Sequence, residues 1–195
     1  MRTNDLIRFK NAGKLVIPEK LFFAARTVHG DYPVQQKSIG MSRQNSKAMA
    51  VLGEDNVLAF TNNGLDGLWI PYLPKGTSWD VLTGGQRWLA SGPYSGCYFE
   101  IGLIDGSIYG AHISCEGKDD ASYAAFDKDP RMKGREILFS QRIRMTELIP
   151  EGCKAVEAII FANFAGGIPQ VTRVDIKTSN VGGLSGEIFS VTNLM

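Results

Sequence analysis

Cys97 and His112 are the residues whose types and spacing could do chemistry. Cys97 closes the Gly-rich run Ser91-Gly92-Pro93-Tyr94-Ser95-Gly96-Cys97, and His112 follows fifteen positions later. A thiol becomes a strong nucleophile when its proton is taken, and a nearby imidazole favours that loss. The chain holds only three cysteines and two histidines, so few other pairings compete.

The intervening residues predict how the two meet. Leu103-Ile104-Asp105-Gly106-Ser107-Ile108 is a hairpin signal, because Asp-Gly readily supplies the two positive φ angles of a type I′ turn. Ile104 then faces Ser107, Phe99 faces His112 and Cys97 faces Ser114. This register makes Cys97 and His112 diagonal neighbours on one face, with backbones roughly 7–8 Å apart. Cys115 falls on the other face, which argues against a Cys97–Cys115 disulfide, although a slip of one residue would exchange the faces. Gly92 and Gly96 permit close backbone approach. The chain around Tyr94, Ser95 and Gly96 is therefore expected to aim amides at a developing oxyanion, and Ser91 to orient the imidazole. Trp69, beside Pro71-Tyr72, is expected to line the site entrance or the core.

Plainer readings compete. Unpaired cysteine is among the most buried residue types. Zinc could take His112, Cys115, Cys97 and Cys153, but no Cys-x-x-Cys pair is present and the faces differ, so no metal or other cofactor is expected. A papain-like arrangement would place the cysteine at the start of a helix, whereas residues 98–103 alternate like a strand. His29 reads as a loop residue, and Cys115 and Cys153 as structural thiols. Arg131, Lys133, Arg135, Arg142 and Arg144 form a basic stretch, either a solvated face or a dock for an acidic protein. The Gly166-Gly167 and Gly182-Gly183 pairs read as turns.

These residues must be positioned by a mainly β framework. Alternating or apolar runs cover residues 15–17, 21–28, 48–52, 57–61, 68–72, 98–103, 136–144, 156–164, 171–177 and 187–192, separated by turn formers. A helix is predicted over residues 4–12, capped by Asn4, and another over 122–128. About ten short strands with few helices predict an α+β chain, a β-sandwich of mostly antiparallel strands flanked by helices. The 195 residues, 44% hydrophobic, are enough for one domain spanning 1–195. A net charge of +1 gives no general attraction to nucleic acid. No run of eighteen apolar residues exists to span a bilayer. Residues 1–5 lead into no apolar run, so no classical secretory signal is expected. An odd number of cysteines is no disulfide framework and suits a reducing compartment.

The Tyr94-Ser95-Gly96-Cys97 run with a histidine on the next strand resembles the Leu-x-Gly-Cys…His signature of the glutamine deamidase toxins. That family includes Burkholderia lethal factor and the catalytic domain of cytotoxic necrotizing factor, with the chemotaxis deamidase CheD more distant. Leu68-Trp69-Ile70-Pro71-Tyr72 is similar to the lethal factor's Leu-Trp-Leu-Pro-Trp segment. Tyr94 replaces the usual leucine, and Ser91 stands where the lethal factor has threonine. The match covers residues 68–112. The resemblance implies a β-sandwich with Cys97 as nucleophile, His112 as base and Ser91 as accessory residue. It implies hydrolysis of a glutamine side chain in a host protein, with Rho-type GTPases or translation-initiation RNA helicases as partners. It also implies a monomeric toxin or effector, secreted or translocated to host cytosol, or otherwise cytoplasmic. The rivals are a chemoreceptor deamidase acting in the producing cell and a non-catalytic β-sandwich binding module.

Overall fold

The computed structural model describes residues 9–18, 21, 31–45, 57–115, 120–145, 149–164, 167–179 and 183–195. The expected helix-flanked sandwich is corrected: strands take 54% of the structure and helices 10%, and eight strands close into a barrel beside a second sheet. The barrel strands are β1 (Lys14–Val16), β3 (Ile39–Asn45), β4 (Val57–Asn62), β5 (Gly67–Ile70), β7 (Trp88–Tyr94), β11 (Ala155–Asn163), β12 (Gln170–Thr178) and β13 (Gly186–Asn193). They run β1-β13-β12-β11-β7-β5-β3-β4, and a parallel β1–β4 ladder closes the ring. Closure removes the edges that an open sheet would expose. Short alternating runs are compatible with a sandwich or a barrel. The parallel β1–β4 and β5–β7 pairings that decide between them carry no local turn signal.

The second sheet contains β2 (Val34–Gln36), β6 (Thr77–Val81), β8 (Tyr98–Ile104), β9 (Ser107–Ile113) and β10 (Glu136–Arg142), in the order β10-β8-β9-β6-β2. Its outer face carries α1 (Ala121–Lys128), close to the predicted 122–128. Of the predicted opening helix, residues 9–11 are helical, and Asn4 lies outside the described residues. The predicted strand at 48–52 and most of that at 21–28 also lie outside them. No helix among the described residues is long and apolar enough to cross a membrane.

The strand sequences follow from what covers them. In β11, Ala155 through Ala162 are all buried. Ile159 and Phe161 enter the barrel core with Trp69, Trp88 and Val174, while Ala158, Ile160 and Ala162 join Phe99 and Ile101 of the second sheet. A strand covered on both faces reads as a near-continuous apolar run, here interrupted by the buried Glu157. The molecule therefore has three apolar layers. They are the barrel interior, the seam between barrel and sheet, and a cluster of Trp79, Tyr109, Ala111, Ile113 and Phe126 beneath α1.

Candidate functional site

The β8–β9 hairpin has the register expected from its turn. Asp105 and Gly106 have φ of 47° and 75°, Ile104 pairs with Ser107, and Phe99 pairs with His112. Cys97 lies one residue before β8. It continues pairing toward β10, where the Ile143 amide donates to the Cys97 carbonyl at 2.9 Å. Phe99 and Cys97 both join the apolar cluster at the barrel–sheet seam.

The barrel wall supplies the other half of the site. Residues 91–94, expected as part of a turn, complete strand β7. Tyr94 pairs with Ala158 and Ser91 with Ile160, so three steps along β7 match two along β11. That extra residue is a bulge, located at Gly92-Pro93. Residues three apart in a regular strand point to opposite faces. Here both Ser91 and Tyr94 reach His112. Ser91 Oγ is 2.8 Å from His112 Nδ1, and the Tyr94 ring stacks on the imidazole at 4.2 Å between centroids and 13° between planes. Tyr72 lies against the same ring at 5.2 Å.

The hydrogen bonds define the imidazole tautomer. The Ser91 hydroxyl donates its one proton to the Ile70 carbonyl at 2.6 Å. Its contact with Nδ1 is therefore one in which Nδ1–H donates. His112 Nε2 then carries the lone pair, and it is buried with no hydrogen-bond partner. Complete burial pushes the His112 pKa down to about 3, so the ring is neutral at pH 7. Burial is also the main cause of the raised Tyr94 pKa, and the nearby Cys97 adds to it. Tyr94 is thus a common neighbour of the thiol and the imidazole.

Other expected site residues fall elsewhere. Trp69 is fully buried in the barrel interior and donates its Nε1–H to the Leu21 carbonyl at 2.9 Å. It is paired with Ala90, one residue before Ser91, and so faces away from His112. Ser95 is exposed. The Gly96 amide is engaged by the Ile143 carbonyl at 2.9 Å, and the Gly96 carbonyl accepts from Arg142 Nε at 2.8 Å. That amide is therefore used to hold the turn rather than left for an oxyanion. Cys97 is 5% exposed and His112 0%, so both are much more enclosed than the expected cleft, and His112 Nε2 makes no hydrogen bond to the Cys97 thiol.

The three cysteines form no disulfide. Cys115 donates to Asp120 Oδ1 at 3.3 Å, and burial followed by that bond pushes its pKa up to about 11. Three residues of the basic stretch, read as a solvated face or a dock, are engaged within the fold. Arg131 pairs with Asp129, Arg135 with Glu100 and Asp127, and Arg142 with Gly96. His29, Gly166 and Gly182 lie outside the described residues.

Sequence reasoning missed Ser78 and Ser114. Ser78 pairs with His112 from the β6 side, and the Ser114 amide continues that ladder to the Gly76 carbonyl at 2.9 Å. Both are buried, and neither hydroxyl has a hydrogen-bond partner. The only available signal was a serine between Thr77 and Trp79 in an alternating segment. No protein-family model matches the chain, and no curated protein sequence matches it.

Proposed function

We propose that the chain is a cysteine-dependent hydrolase acting on a primary carboxamide, a deamidase that converts a glutamine side chain of a protein substrate to glutamate. The observation that carries this reading is the Ile70–Ser91–His112 relay, which fixes a neutral imidazole with an unengaged Nε2 near a Gly-Cys turn. In the reaction, Nε2 accepts the Cys97 proton as Sγ bonds to the amide carbon. His112 returns that proton to nitrogen as the C–N bond breaks and ammonia leaves. Water, deprotonated by His112, then breaks the thioester and gives the carboxylate. With His112 held neutral, thiol and imidazole enter the reaction uncharged, and proton transfer accompanies attack. A toxin or effector role follows from the sequence resemblance alone.

The test is mass spectrometry of a eukaryotic lysate treated with the wild type or with Cys97→Ser. The expected result is a glutamine gaining about one mass unit with the wild type only, as NH2 is exchanged for OH. Equal modification by both proteins, or none by either, defeats the proposal. A second reading, a non-catalytic module in which Cys97 and His112 are packing residues, is favoured by the complete burial of His112. It predicts that native Cys97 resists iodoacetamide until the protein unfolds.

A further inference from the structure

Three polar atoms without partners gather on one face of the second sheet. Ser78 is directly opposite His112, and Ser114 is two residues beyond it on the same chain. Directly opposed residues, and residues two apart, project to the same side. The opposite side is accounted for by Trp79, Ala111 and Ile113 in the cluster beneath α1. Ser78 Oγ, Ser114 Oγ and His112 Nε2 are all buried and all unpaired. Buried hydroxyls are costly to leave unsatisfied, and two orphaned hydroxyls beside an orphaned imidazole nitrogen call for a polar guest.

We infer that Ser78 and Ser114 are specificity residues that hold a neutral primary carboxamide against His112, an inference that rests on the deamidase reading. The two hydroxyls donate to the carboxamide oxygen, and Nε2 accepts from its NH2. As Sγ attacks, Nε2 exchanges that contact for the Cys97 proton and then returns the proton to the adjacent leaving nitrogen. A carboxylate offers no N–H to Nε2 and sets its charge against a lone pair. The site therefore takes the amide and releases the acid. This assigns oxyanion stabilisation to side chains of β6 and of the residue that follows β9, whereas the Gly96 amide is occupied by Ile143.

Paired alkylating probes test this on the intact protein. Iodoacetamide carries the carboxamide and iodoacetate the carboxylate, and peptide mapping reads modification at Cys97. Rates are normalised to 2-mercaptoethanol, which removes the intrinsic difference between reagents. Wild-type Cys97 is expected to prefer iodoacetamide by about tenfold beyond that reference. Ser78→Ala and Ser114→Ala are expected to erase most of the preference, while Ser78→Thr, which keeps a hydroxyl, retains it. Melting temperatures separate this from a structural role, because loss of an unsatisfied buried hydroxyl leaves stability unchanged or raised. If both alanine variants keep the wild-type preference while Cys97 remains reactive, the serine assignment is overturned and the deamidase reading survives. If native Cys97 reacts with neither probe, the nucleophile itself is refuted and the assignment falls with it.

Discussion

Ser91 joins the Ile70 carbonyl to His112: its Oγ lies 2.6 Å from the carbonyl oxygen and 2.8 Å from Nδ1. Ser91→Ala removes both contacts in a fully buried setting, leaving a donor and an acceptor unsatisfied at about 1–3 kcal/mol each. The expected outcome is a lower melting temperature and a roughly 10- to 100-fold slower alkylation of Cys97, since an unfixed imidazole loses its productive tautomer. Ser91→Thr retains the hydroxyl and most of both properties. Alkylation rate and calorimetry on the three proteins check this. A normal Cys97 rate in Ser91→Ala would remove Ser91 from any role in reactivity.

His112 makes stability depend on pH. Its pKa is about 3 in the folded chain, because burial disfavours the cation, and returns to the ordinary 6.5 on unfolding. Between these values the unfolded state binds the proton and the folded state does not. Stability is therefore full above about pH 6.5 and declines on acidification toward about pH 3, by up to about 1.4 kcal/mol per pH unit. Urea midpoints across this window, compared between the wild type and His112→Asn, check the claim. The variant is expected to lose this component of the slope, and parallel curves would contradict it.

Gly96 adopts φ of +128°, a left-handed value that disfavours side chains. A Cβ built there would meet only Arg142 Nη2, at an ordinary 3.8 Å. The cost of Gly96→Ala is therefore conformational rather than steric, about 1–3 kcal/mol. The variant is expected to fold with a lower melting temperature and a displaced Cys97, read as a changed alkylation rate. Unchanged rate and stability would show that the turn does not constrain the thiol.

Glu100 is fully buried on the sheet's outer face. It accepts from Tyr109 at 2.8 Å, Tyr123 at 2.5 Å and Arg135 at 3.0 Å. Arg135, with only 6% of its side chain exposed, also pairs with Asp127 of α1. Glu100→Gln leaves the guanidinium short of its buried counter-charge and is expected to cost about 3–5 kcal/mol. Hydrogen exchange should rise first in residues 121–135, which this network holds to the sheet. Exchange increasing first in β11 instead would count against the assignment.

The parts of the fold governed by local chemistry were legible in the sequence. Asp105-Gly106 determines the hairpin, its register and the pairing of Phe99 with His112. The alternation of Val174 and Ile176 with Arg173, Asp175 and Lys177 marks one buried face, but the expected wet face is not fully wet, since Asp175 is buried and accepts from Arg173 and Ser190. Other features depend on distant partners and have no local signature. Barrel closure needs Lys14 to pair with Val57, and the site's polar wall needs Ser78 to meet His112 across a ladder that no turn residue announces. Which of its two readings Trp69 follows, entrance or core, depends on a distant partner in the same way. Its neighbours resemble a motif, but the face it presents is set by the parallel pairing of β5 with β7. Glycine and proline usually break strands, so residues 91–94 predict a turn, whereas here they mark the bulge.

The surplus residue at Gly92-Pro93 makes the cluster a matter of parity. A straight strand through all four residues would set Ser91 and Tyr94 on opposite faces, turning the phenol toward the tryptophans and stripping the imidazole of its stacking partner. Excising one residue between them would instead leave both side chains on one face, so a shortened wall keeps the stack that a straightened wall of the same length would lose.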